Sequence, residues 1–328
     1  MAFYSIDDLK NIIDSNLSGL IQSNCVLLNT PEHVNIGDQL IWQGEMDYLT
    51  SKGIKPHYIS SLFTFDWREF SKDTLILLHG GGNFGDLWEG HQEFRLKVVE
   101  RYKNNKILIF PQSVQYNNQE SLLNDAKLFS AHQNLTICAR DEFSYKLLRE
   151  HFNNNILMLP DMAFCSSYSR IVRDKNIDRT LLMKRTDREV PSKINYTKYN
   201  NFEIRDWPSF DNSIINFPLR VVEKLNRMFS DNFYKKFNKN RDGDTTFGLG
   251  VHRDKDYLVN QGVKFLSEYD LVISTRLHGH ILSLLLGIPS IMIDNNYGKN
   301  SRFYNTWLKD IPNSKIVSSE SELDLELK

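Results

Sequence analysis

The run Ser274-Thr275-Arg276-Leu277-His278-Gly279-His280 sets an imidazole two residues after a guanidinium. Arginine supplies a permanent charge and planar donors, and a histidine proton moves near neutral pH. Converging, the two suit chemistry on a phosphate or a carboxylate. His280 lies two residues beyond His278, so on a helix the two rings would not face one another. It reads as support for His278. No third histidine or acid stands at ligand spacing, so no metal site is expected. In Ala139-Arg140-Asp141-Glu142, Arg140 has two readings. It holds a second anion bidentately beside a helix N-terminus, or it pairs with the acids that follow it.

A second group of residues is built on glycine. His79-Gly80-Gly81-Gly82-Asn83-Phe84-Gly85-Asp86 follows the apolar run 75–78, and Gly80, Gly82 and Gly85 satisfy GxGxxG literally. A dinucleotide fingerprint also needs an acid about 20 residues further on. Residues 102–112 contain neither Asp nor Glu, which argues against that site. A tight turn without ligand and an anion- or sugar-binding loop both remain open. Asn35-Ile36-Gly37-Asp38 reads either as a capped helix start or as another wall of the same cleft. Asp294, Asn295, Asn296, Tyr297 and Lys299 fall in one more strand-to-helix loop.

Groups of this kind are positioned at the carboxyl ends of parallel strands, and the sequence provides such strands. Short β-branched runs at 26–28, 57–60, 74–78, 106–110, 135–138 and 156–159 alternate with helical-period segments at 39–52, 94–104, 120–132 and 143–151. That alternation predicts an α/β fold. A weakly patterned, charged linker over 166–199 encloses a strand at 180–183. A second α/β set follows, with helices near 219–237, 257–267, 277–286 and 301–308 and strands at 271–274 and 290–293. The lysine- and asparagine-rich stretch 234–242 reads as a solvated loop. Two domains, 1–165 and 166–328, are expected, in keeping with the length of 328 residues.

Composition narrows the partners. Forty basic and forty-one acidic side chains leave a net charge of −1, so no overall field draws the chain to nucleic acid. Three scattered cysteines exclude a disulfide framework and fit a reducing compartment. The N-terminus lacks a signal-peptide pattern. The longest apolar stretch, 281–293, falls short of the roughly 20 residues a membrane helix needs. A cytoplasmic protein without a transmembrane segment is expected.

Together, Asn35-Ile36-Gly37-Asp38, the run 79–86, Pro111-Gln112-Ser113, Arg140-Asp141, Leu159-Pro160-Asp161 and the run 276–296 resemble the polysaccharide pyruvyl transferase family. The resemblance implies two Rossmann-like domains facing across a cleft, similar to the GT-B arrangement of glycosyltransferases. It implies transfer of pyruvate from phosphoenolpyruvate to two hydroxyls of one sugar as a cyclic ketal, releasing phosphate, with no other cofactor and no metal. Such products belong to exopolysaccharide, capsule or cell-wall polysaccharide synthesis. A lipid-linked oligosaccharide acceptor would bring the protein to the membrane periphery. Arg140, Arg276, Leu277 (through its backbone) and His278 match the family's donor-binding set, and Asp86 corresponds to an acid near the reacting hydroxyls. Since protonating the donor's methylene carbon needs an acid, His278 takes that role and Asp86 the role of base. Asn35, Asp38, Gly81, Gly82, Asn83 and Asn295 are expected to line the cleft. Two rivals share these features: a GT-B-type glycosyltransferase using a nucleotide sugar, and a non-catalytic sugar- or phosphate-binding protein.

Overall fold

The computed structural model describes residues 5–168, 179–186, 194–210, 242–246, 255–294 and 298–327, with the helical positions 221, 224, 225 and 228. The expected helix at 219–237 and the loop at 234–242 lie almost wholly outside the described residues.

The α/β expectation holds, in two parallel sheets. In the first half β1 (Cys25–Leu28), β2 (Tyr58–Ser60), β3 (Leu75–Leu78), β4 (Gly81–Gly85), β5 (Ile107–Gln115), β6 (Leu135–Ala139) and β7 (Asn155–Met158) alternate with helices. These are α1 (Ile6–Leu17), α2 (Ile36–Ser51), α3 (Glu89–Arg101), α4 (Gln119–Ser130) and α5 (Glu142–His151). In the second half come β8 (Thr180–Met183), β9 (Glu203–Arg205), β10 (Gly243–Asp244), β11 (Leu271–Ser274), β12 (Ser290–Ile293) and β13 (Ser314–Val317). Its helices are α6 (Lys255–Ser267), α7 (Leu277–Leu285), α8 (Lys299–Trp307) and α9 (Glu320–Glu326).

Strand order in the first sheet is β10-β2-β1-β3-β5-β6-β7, with β4 paired to β5; in the second it is β13-β12-β11-β8-β9. From β1 the chain turns to β2 on one side and to β3 on the other. The second sheet reverses in the same way between β8 and β11. Open parallel sheets bind ligands in the crevice at such a reversal, beyond the carboxyl ends of the strands. The Asn35 and His79 loops leave β1 and β3, and the Arg276–His278 run leaves β11. Topology alone therefore brings these groups to the two crevices. The edge strand β10 belongs by sequence to the second half yet pairs with β2 of the first sheet.

One apolar cluster joins the halves. Leu27, Leu75 and Leu77 of the first sheet and Leu181, Met183, Val272 and Met292 of the second belong to the same buried set. Helix α2 adds Leu40, Ile41 and Trp42, and α6 and α7 add Leu258, Ile281 and Leu282. Each fully buried aliphatic side chain is worth about 1.5–3 kcal/mol relative to exposure. At Gly44 on α2 the approach is so close that a Cβ would collide with the Met162 carbonyl. Among the described residues no helix is long and apolar enough to cross a membrane.

Two local expectations are corrected. The glycine run, expected as a tight turn or a ligand-binding loop, continues into strand β4, whose Gly81 (φ 126°) and Gly85 (φ 112°) adopt a backbone that side-chain-bearing residues avoid. The strand expected to stop at 110 runs on through Pro111 to Gln115. Pairing with β6 shifts register between Ile109 and Gln112, so the missing proline N–H interrupts no regular ladder.

Candidate active site

Helix α7 begins under tight local control. Ser274 Oγ accepts from Arg276 N–H (3.0 Å) and donates to Arg276 O (2.8 Å), while Thr275 bonds Met183 O through both its N–H and its hydroxyl. Among the described residues no side chain caps the N-terminus of α7. The first N–H groups of this helix, from Leu277 and His278, thus point out of it with the positive end of its dipole. That is an anion-binding geometry.

His278 is held by a buried carboxylate. Asp161 Oδ2 accepts from Arg140 Nη1 (2.6 Å) and lies 3.3 Å from His278 Nε2, while Oδ1 accepts from Ala163 N–H at 2.8 Å. Burial works to raise the Asp161 carboxyl, but His278, Arg140 and the Ala163 N–H hold it well below the usual carboxylate range. An ionised carboxylate only accepts, so His278 carries hydrogen on Nε2 and exchanges its mobile proton at Nδ1. Nδ1 faces Gly37, where a Cβ would stand 2.8 Å from it. The N-terminus of α2 thus meets that of α7 with no side chain between.

Arg140 is fixed at three points besides Asp161. Its Nε donates to Ser113 Oγ (2.9 Å), its N–H to Gln112 O (2.9 Å), and its carbonyl accepts from Trp307 Nε1 (2.8 Å). Nη2 is turned to Gly82, where a Cβ would stand 2.9 Å from it and 2.7 Å from Lys299 Nζ. Two cations of different sheets therefore approach one bare Cα.

Asp38, half-buried on the first turn of α2, accepts from Asn35 Nδ2 at 2.7 Å and lies 3.5 Å from His33 Nε2. Burial acts to raise its carboxyl, and His33, His278, His79 and Arg140 outweigh that and lower it. Asp38 therefore lies within electrostatic reach of all four. Gly81 runs beside it, with Asp38 Oδ1 4.0 Å from where a Cβ would stand.

Of the residues expected from sequence, the structure brings together Arg140, Leu277, His278, Asn35, Asp38, Gly81 and Gly82. Arg276 opens α7 but turns to Asp206, bonding it through Nε and Nη2, with its guanidinium 4.8 Å from the Phe210 ring centre. The two arginines thus each hold a carboxylate of their own. Asn83 is clamped by the wholly buried Arg95, which donates to its carbonyl at 3.0 Å and also bonds its side chain. Asp86 lies at the far end of β4, roughly 13 Å from Gly82 at about 3.3 Å per residue. Its carboxylate accepts from Asn117 N–H and Asn118 N–H (2.7 Å from Oδ2 to each), leading into α4. A place for Asp86 beside Arg140 and His278 is therefore corrected, because strand β4 carries it away. Asn295 lies outside the described residues. The sequence places Lys299 in a loop whose polar groups could meet a ligand and includes Asp161 and Ser113 only in the motifs of the resemblance, with no role for either or for His33. Asp161 had one local signal, the Asp that caps the short helical turn Met162–Cys165.

His280 is structural. It is wholly buried between Ser290 Oγ and Ser314 Oγ, 2.8 Å from each, and burial pushes it from 6.5 to about 3. The unfolded chain gains this proton below about pH 6.5, the native chain only near 3. Its contribution is therefore complete above about 6.5 and shrinks as the pH falls toward 3. We expect His280→Gln, which gains no proton, to lose less stability than wild type between neutral and acidic pH in urea titrations. Equal losses would contradict this.

Among the described residues no group of three or more His, Cys, Asp or Glu could hold a metal ion. What the site offers is anion binding from Arg140, Lys299 and a helix N-terminus, with an oriented imidazole and a carboxylate beside it.

Comparison with known proteins places this geometry. The sequence model of the polysaccharide pyruvyl transferase family matches residues 35–297. EpsO of Bacillus subtilis (strain 168), named provisionally as a pyruvyl transferase, is 31% identical over 317 residues, 94% of this chain and 95% of its own. Pyruvyl transferase 1 of Schizosaccharomyces pombe is 28% identical over 305 residues, 86% of this chain and 69% of its own. The crystal structure of a functionally uncharacterised Klebsiella pneumoniae protein matches with a TM-score of 0.61 at 18% identity. The match covers 95% of this chain and 99% of that one, which shows a common fold. The family match opens at the capped start of α2, spans the Arg140 and His278 turns and ends just before α8, so the resemblance in the sequence holds and the chain belongs to the polysaccharide pyruvyl transferase family.

Proposed function

We propose that this chain moves pyruvate from phosphoenolpyruvate onto two hydroxyls of one sugar in a polysaccharide or its precursor, forming a cyclic ketal and releasing phosphate. The observation that carries the reading is the meeting of Arg140 Nη2 and Lys299 Nζ over the bare Cα of Gly82, with Asp161 joining Arg140 to His278 on the first turn of α7. The donor has two anionic groups on a small frame. Its phosphate fits between Arg140 and Lys299, and its carboxylate suits the first N–H groups of α7.

In the first step one sugar hydroxyl bonds to C2 while the C2–C3 double-bond pair takes the proton from His278 Nδ1, so C3 becomes a methyl group. The hydroxyl's own proton passes to Asp38. In the second step the other hydroxyl attacks C2, the bond from C2 to the phosphate oxygen breaks, and its electron pair leaves with phosphate. That hydroxyl's proton leaves with the phosphate, and the proton held by Asp38 returns to His278. Asp38 takes the base role in place of Asp86, whose carboxylate is already bonded to two backbone N–H groups. Asp161 orients His278 in the manner of the third member of a triad. Neither metal nor further cofactor enters these steps.

The same reading has the chain work in the cytoplasm as two Rossmann-like domains, 1–165 and 166–328, facing across a GT-B-like cleft. A lipid-linked acceptor would put it at the membrane surface. Two parallel sheets, each reversing beside the site, support that arrangement. The test is incubation with phosphoenolpyruvate and a panel of galactosides, glucosides and mannosides. Phosphate release with a product heavier by pyruvate less water supports the reading. Donor binding with no release from any acceptor would leave a binding protein, and release of a nucleoside diphosphate from nucleotide sugars would make it a glycosyltransferase.

Gly37 supplies a narrower prediction. An alanine methyl there would press on His278 at Nδ1, Cβ and Cγ. Gly37→Ala is expected to lose turnover, by about 10²-fold for an acid displaced by roughly 1 Å, in a protein that still folds. Full activity in a steady-state assay would mean that Nδ1 is not the working nitrogen.

A further inference from the structure

Glu45 is wholly buried on α2, and the steps above make no use of it. Burying a carboxylate costs several kcal/mol unless its oxygens are bonded. Both oxygens go to one short stretch. Oε2 accepts from His79 Nδ1 and Oε1 from Gly80 N–H, each at 2.8 Å. Asp38, Ile41 and Glu45 are spaced i, i+3 and i+7, so they form one stripe on α2. The glycine run lies along that stripe. A Cβ on Gly81 would stand 3.6 Å from Ile41 and 4.0 Å from Asp38, and one on Gly80 would stand 3.3 Å from Glu45 Oε1. On the other side His79 N–H donates to Leu28 O (3.0 Å), and Gln112 Nε2 donates to His79 O (2.7 Å). The start of the glycine run is thus pinned from β1, from β5 and, through one carboxylate, from α2.

We propose that Glu45 is a positioning residue for the transfer reaction. It fixes the glycine run on α2, which sets where Gly82 sits against Arg140 and Lys299 and where Asp38 sits against both. The proposal rests on the pyruvyl-transfer reading for its kinetic consequence and on geometry alone for its structural one. Its test separates the two.

Glu45→Leu keeps most of the volume and removes both bonds. Glu45→Gln keeps both, because its amide oxygen accepts from Gly80 and its NH2 donates to Nδ1 once His79 carries hydrogen on Nε2 instead. His79→Asn places an amide donor near the position of Nδ1. We expect Glu45→Leu to quicken hydrogen exchange at the Gly80–Gly82 amides and to lower kcat about 10²-fold per folded molecule, the scale for roughly 1 Å of misplacement. Glu45→Gln should stay within about threefold of wild type on both measures, less than 1 kcal/mol on the tenfold-per-1.4 scale, and His79→Asn should keep wild-type exchange at Gly80–Gly82. A merely structural role would lower the denaturation midpoint of Glu45→Leu without moving kcat per folded molecule. The proposal is overturned if Glu45→Leu exchanges and turns over like wild type. It is overturned equally if Glu45→Gln does as much damage as Glu45→Leu, which would make charge the operative property. If wild type itself never releases phosphate, the functional reading fails, and exchange at Gly80–Gly82 still decides whether Glu45 holds the run.

Discussion

His278→Gln is expected to retain most of its affinity for phosphoenolpyruvate and to lose roughly 10²–10⁴-fold in turnover, the usual worth of a positioned acid. Glutamine's amide can still donate a hydrogen bond, but it cannot deliver a proton at neutral pH. The geometry sharpens this expectation. Asp161 takes Nε2, so the proton to be delivered sits on Nδ1, on the side of the ring that faces Gly37. Asp161→Asn should therefore lower turnover as well, since its amide no longer dictates which nitrogen of His278 carries hydrogen. Steady-state rates with saturating donor, beside a binding titration, separate the two effects. Near-wild-type turnover by His278→Gln would leave His278 as a binding residue only.

Arg140→Ala is expected to weaken donor binding by about 2–5 kcal/mol, typical of losing one member of a buried, hydrogen-bonded charge pair. The same change strips Asp161 of its 2.6 Å partner, so the fold should be destabilised as well, by about 3–5 kcal/mol. Arg140→Lys separates these consequences. It keeps a charge for Asp161 but loses the fork that reaches Ser113, Asp161 and the space over Gly82 together. We expect it to fold better than the alanine variant yet bind the donor more weakly than wild type. Calorimetric titration of phosphoenolpyruvate, with a urea midpoint for each variant, measures both. Unchanged donor affinity in folded Arg140→Ala would remove this arginine from the site.

Much of the scaffold was legible because its signals are local. The strands at 271–274 and 290–293 match the apolar runs, and the helices after β1, β4, β5 and β6 follow their periodicity to within a few residues. The Arg276–His278 turn was legible for the same reason, since a strand end, a helix start and two functional side chains sit within a few positions. What escaped depends on distance along the chain. Asp161 meets His278 across 117 residues, and Glu45 meets His79 across 34. Neither pair leaves a pattern in a short window. Asp86 misled for the opposite reason. It stands beside the glycines in sequence, but the run is extended rather than coiled, so each residue carries it further from Gly82. Arg276 and Arg140 look equivalent as residues at strand ends. Only the fold shows that Asp206 and Phe210 hold the first, while the second reaches over Gly82.

The central claim is that the donor reacts at C2 and gives up phosphate by cleavage of its carbon–oxygen bond. Phosphoenolpyruvate labelled with heavy oxygen at the bridge between carbon and phosphorus tests this directly, given an accepted sugar. The account predicts that all the label leaves in inorganic phosphate and that the sugar gains an unlabelled pyruvate ketal. Label retained in pyruvate or in the sugar product would mean that the phosphorus–oxygen bond breaks instead, and would contradict the account.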